Sequence, residues 1–140
     1  MSAQENVEVV LEAFSAIERR DDQRFLDLLH SDFEILWPPS LPYGKSSAGL
    51  HKSPTWSDIW ISLQPTEAER KMDPRVVAHD AEEVVVLWRQ RGVTSDGNRF
   101  DGEVLGLYRV RDRKLARAQM FYFDTAAVAS FLARANAPVA

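Results

Sequence analysis

Apolar side chains recur at helical spacing early in the chain and alternate with polar ones through much of its second half. Val7, Val10, Leu11, Phe14 and Ile17 share one helical face and predict an amphipathic helix over residues 4–19. Ser2 and Glu5 stand ahead of it at capping-box spacing. Asp21 or Asp22 can cap a second, shorter helix with Phe25, Leu26, Leu28 and Leu29 as its apolar face. Phe33 to Trp37 reads as a short strand, stopped by Pro38-Pro39. An irregular stretch runs to about Lys52. Ser53-Pro54 then opens a further helix, with proline at its first position and Trp56, Ile59, Trp60 and Leu63 on one face.

The period then changes. Residues 75–79, 83–93, 99–110 and 114–123 read as strands, with turns at 80–82, 95–98 and 112–113. Short connections between consecutive strands predict an antiparallel meander. Thr125 to Arg134 closes the chain as a helix. Strands this long are expected to curve strongly. The expected fold is therefore α+β, a cone-shaped curved antiparallel sheet wrapped by the N-terminal helices around an internal pocket.

Bulk composition narrows the function. The 140 residues fit one domain spanning 1–140. The chain has no cysteine, which excludes disulfides, thiolate metal sites and cysteine nucleophiles. The three histidines form no metal-ligand spacing, and no phosphate-binding loop or dinucleotide fingerprint is present, so neither metal nor cofactor is expected. A net charge of -4, from 17 basic and 21 acidic residues, does not favour nucleic acid. No apolar run approaches a membrane span, and the polar start does not read as a signal peptide, which suggests a cytoplasmic protein.

Three stretches carry a family resemblance. They are Ala13-Phe14 through Arg20-Asp21 with Leu28-Leu29 through Pro38-Pro39, then Pro42-Tyr43-Gly44, then Gly106-Leu107-Tyr108-Arg109-Val110-Arg111-Asp112 through Lys114-Leu115-Ala116-Arg117, ending in Tyr122-Phe123-Asp124. In this order the chain resembles the nuclear transport factor 2-like superfamily, and more closely its SnoaL-like polyketide cyclase and ketosteroid isomerase relatives. The resemblance implies an active site inside the cone. It also shows what this chain lacks. Trp37 stands where the isomerases place a carboxylate base, and Ala13 where they place an oxyanion tyrosine. Their acidic partner falls near Gly102, between Asp101 and Glu103. Arg89 matches the arginine of limonene-type epoxide hydrolases, but Arg91 and Phe121 replace the two flanking aspartates. Neither reaction is implied by its usual residues.

The remaining candidates are aromatic, acidic and basic. Trp37, Tyr43, Trp56, Trp60 and Trp88 either fill the core or form a wall against a flat ligand. Arg89 and Arg91 share one strand face and Trp88 and Gln90 the other, and alternation alone leaves open which face points inward. Asp101 and Glu103 are the natural partners of the arginines, and with Arg89 and His51 they are the candidate acid/base residues. Arg91, Gln119 and Phe121 complete the candidate ligand set. Two functions stay open. One is acid/base chemistry on a hydrophobic polyketide-like or terpenoid-like substrate, and the other is non-catalytic ligand binding or an accessory role. A homodimer is expected through the convex face of the sheet, whose strands carry apolar residues on both sides.

Overall fold

A computed structural model of the protein describes residues 2–41, 47–48 and 63–135. The elements are α1 (Ala3–Glu18), α2 (Asp22–Asp27), β1 (Leu29–Leu36), β2 (Ser47–Ala48), β3 (Arg75–His79), β4 (Glu83–Val93), β5 (Arg99–Arg111), β6 (Lys114–Tyr122) and α3 (Thr125–Ala135). The Ser2 hydroxyl accepts the Glu5 backbone N–H at 3.1 Å and caps α1. Asp21 caps α2 in the same way, through the Arg24 backbone N–H at 3.1 Å. The helix expected after Ser53 lies outside the described residues.

β3, β4, β5 and β6 form the predicted antiparallel meander. The rest of the sheet corrects the expectation. β1 runs parallel to β6, so the sheet is mixed, in the order β2-β1-β6-β5-β4-β3. Its edges, β2 and β3, do not pair with each other. The sheet is open and not strongly curled, and the expected cone does not form. Strand length alone does not force closure. Long strands can be accommodated by twist and local bulges, and here the ladders shift register at Val76/Ala78 and Arg109/Val110.

α1 lies across the sheet and buries Val7, Val10, Ala13, Phe14 and Ala16. Phe14 meets the rings of Trp88 and Tyr108 edge-on, at 5.8 and 5.7 Å between centroids. On β4 the residues alternate strictly, with Val84, Val86, Trp88 and Gln90 buried and Val85, Leu87, Arg89 and Arg91 only partly so. The buried set is the inner face, toward α1. Two glycines of β5 leave room for rings on that face. The Tyr108 ring occupies the space a Cβ of Gly106 would need, and Phe100 does the same at Gly102. Phe100 packs in turn on Phe131 of α3 at 5.7 Å.

Candidate functional site

The inner face and the helices enclose a cavity of about 90 Å³. α1 contributes Val10, Ala13, Phe14 and Ile17, and β1 contributes Phe33, Ile35 and Trp37. Trp88 and Gln90 of β4, Tyr108 of β5, and Ala118, Met120 and Tyr122 of β6 form the floor. Two further lining residues come from the segment before β3 and are held by named bonds. Arg20 donates to the Gln64 carbonyl. The Met72 N–H donates to Glu18 Oε1 at 3.0 Å, and its carbonyl accepts the Arg89 N–H at 2.8 Å. Gln64 and Met72 are thereby fixed between the end of α1 and β4.

This wall is apolar and aromatic, and its polar groups are neutral. Among the described lining residues there is no Asp, Glu, His, Lys or Arg. Tyr108 and Tyr122 are the two phenols of the described wall, and Tyr108 is the more deeply buried. Burial pushes its pKa far above the ordinary range, with the nearby Trp88 indole pulling weakly the other way. It is therefore protonated, and its hydroxyl meets the Met120 sulfur at 3.8 Å. Gln90 Oε1 and Trp88 Nε1 are buried and reach no hydrogen-bond partner among the described residues.

The charged candidates stand on the opposite face. Arg89 Nε donates to Asp101 Oδ1 at 2.8 Å and lies 4.0 Å from Glu103 Oε1 through Nη1. Arg91 Nε is 3.5 Å from Asp101 Oδ2, and its Nη2 is 3.0 Å from Asp73 Oδ2. Register explains the grouping, since Arg89 faces Glu103 and Arg91 faces Asp101 across the β4–β5 ladder. The Asp101 and Glu103 side chains are each half exposed. With Phe123 and α3 they border a surface groove of about 260 Å³.

The SnoaL-like domain family is matched over residues 10–118. The chain belongs to that family. Solved structures of similar fold include TerC co-crystallised with polyporic acid, which superposes with a TM-score of 0.76 at 19% identity, covering 91% of this chain and 98% of TerC. A nuclear transport factor 2-like protein of Burkholderia pseudomallei gives 0.76 at 20% identity, covering 94% and 98%. Another from Burkholderia xenovorans gives 0.68 at 24%, covering 98% and 99%. At these identities the likeness is one of fold. A search of functionally curated proteins gives no match.

Within this SnoaL-like fold the predicted residues divide. Trp37 and Trp88 line the cavity. Asp101, Glu103, Arg89 and Arg91 do not, because β4 and β5 turn their odd-numbered side chains away from α1. Phe121 and Gln119 point the same way from β6, opposite Leu105 and Leu107, and Phe121 is 48% exposed. Tyr43, His51, Trp56 and Trp60 lie outside the described residues. The cavity residues not singled out as site residues from sequence include Gln64, Met72, Gln90, Tyr108 and Met120. Gln90 carried a signal, as the one amide in the alternating series Val84, Val86, Trp88, Gln90. Among the described residues no helix is long and apolar enough to cross a membrane.

Proposed function

We propose that this SnoaL-like domain binds a small, uncharged, hydrophobic molecule in the cavity beneath α1. The observation that carries the reading is the wall itself, aromatic and aliphatic, with only neutral polar groups among its described residues. TerC, of similar fold, has been co-crystallised with polyporic acid, which supports a small-molecule role. An engineered apolar cavity of about 150 Å³ holds benzene, so about 90 Å³ is tight for a single ring. Larger ligands require Met72 and Met120 to swing aside, which unbranched thioether side chains do readily.

Titrating intrinsic tryptophan fluorescence with flat hydrophobic ketones, phenols and epoxides tests this. Binding should quench or shift the emission, and Trp37→Phe should alter the response. Asp101→Asn and Glu103→Gln should leave affinity within about twofold, because both acids lie across the sheet from the cavity. Absence of any response, unchanged in Trp37→Phe, would remove the reading. An acid/base enzyme working in this cavity would need a base from outside the described wall. His51 is the candidate, and turnover lost in His51→Gln with binding retained would establish that second reading.

The outer face of the sheet is proposed to meet a second copy of the chain. Leu105 and Phe121 lie there side by side, 39% and 48% exposed. The flanking charges are already matched within the protomer, as in Arg109–Glu83 at 3.7 Å and Arg117–Glu34 at 3.5 Å. A face both apolar at its centre and internally neutralised at its flanks suits self-association. Light scattering at micromolar concentration should give a dimer that Phe121→Glu dissociates. A wild-type monomer would refute it.

A further inference from the structure

Two polar atoms in the cavity wall are left unmatched by the protein itself. Gln90 is only 5% exposed, yet its Oε1 has no hydrogen-bond partner among the described residues. Trp88 Nε1, two residues earlier on the same face of β4, is likewise buried, and the Tyr108 hydroxyl near it is not at hydrogen-bonding geometry. Such groups carry a desolvation penalty that a leucine at position 90 would avoid. Beside them, the Tyr108 hydroxyl meets the Met120 sulfur at 3.8 Å and has the Trp88 indole as its other polar neighbour. An acceptor and a donor thus stand two residues apart on one strand face of a mostly apolar wall.

We infer that Gln90 and Trp88 form a recognition subsite for a neutral aromatic hydroxyl compound of the phenol class. The inference rests on the cavity being a ligand site. A hydroxyl group both donates and accepts. Its proton goes to Gln90 Oε1, and its oxygen accepts the Trp88 Nε1–H. A ketone can satisfy only the indole, and a hydrocarbon satisfies neither. A carboxylate would enter without any cation on the described wall to offset its desolvation. The ring of the ligand packs among Phe14, Trp37 and Trp88.

Phenol and toluene have nearly the same shape and differ in the hydroxyl, while benzoate puts a larger, charged group on the same ring, so the three separate these cases. Calorimetric titration of the full chain at pH 7 should give phenol binding about tenfold tighter than toluene, and no benzoate binding. Gln90→Leu should bring phenol and toluene within about twofold of each other while raising Tm. The wild-type comparison needs no variant, so the test stands even where a variant fails to fold. Equal affinity of phenol and toluene overturns the subsite while leaving the cavity reading intact. So does tighter binding of benzoate, or a lower Tm in Gln90→Leu, which would make the amide a structural group. No binding by any of the three, with no response to the ketones and epoxides, overturns both.

Discussion

Replacing Arg113 with glycine should stabilise the protein. Asp112 and Arg113 form the two-residue turn joining β5 to β6, and both hold positive φ, 55° and 62°. This is the left-handed pair that a tight hairpin requires. A side chain with a Cβ gives up about 1–2 kcal/mol in that region, where glycine is unstrained. Glycine also loosens the unfolded chain, which takes back about 0.4–1 kcal/mol. The net expectation is a gain of about 0.5–1 kcal/mol. Arg113 is exposed but takes part in an interaction of its own. Arg113→Ala is therefore the reference, since it removes the side chain and keeps the strained backbone. Urea unfolding should place the glycine variant about 1 kcal/mol above the alanine variant, with an unchanged m-value. In a thermal scan the gain over wild type should appear as roughly 2–4 °C. A glycine variant no more stable than the alanine variant would refute the strain argument.

Gly106→Ala should destabilise by about 1–3 kcal/mol, because the new methyl would sit 2.4–2.5 Å from the ring and hydroxyl of Tyr108. Denaturant midpoints check it, and a neutral result would mean the ring can move without disturbing Phe14. Acid should weaken the fold through Glu12, Asp80 and Asp96. Hydrogen bonds lower the pKa of each, from Arg19 first and then Arg24 at Glu12, from the Glu82 and Glu83 backbone N–H groups at Asp80, and from the Thr94 hydroxyl first and then Arg134 at Asp96. The unfolded chain then holds these protons more tightly than the folded one. The stabilisation is fully present above the ordinary values of 4.5 and 3.8 and disappears as pH falls through the lower folded-state values. Urea midpoints should decline below about pH 4.5, and Asp80→Asn should flatten that decline. A slope unchanged in the variant would count against the assignment.

The meander is the part of this fold most plainly written in the residue pattern. Alternation between turn signals places β3 at 75–79 and β4 at 83–93, the spans found, and misses the ends of β5 and β6 by one residue each. Those are local properties, set by side-chain period and turn chemistry. β1 shows where local reading stops. It begins at Leu29, ahead of the expected Phe33, and so takes in a leucine that the apolar pattern assigns to the second helix. The cause is distant in sequence, since the Leu115 N–H donates to the Leu28 carbonyl at 2.7 Å and leads the chain directly into the ladder with β6. The parallel sense of that ladder has no local signature, because a pairing between residues some 80 apart is chosen by packing. The same holds for the site. That Trp88 and Gln90 oppose Arg89 and Arg91 follows from strand geometry alone. Which pair faces the cavity depends on α1, whose Phe14 lies against Trp88 and covers that side of β4. The arginines therefore keep their water and their acids, while a glutamine is buried with its carbonyl oxygen unmatched.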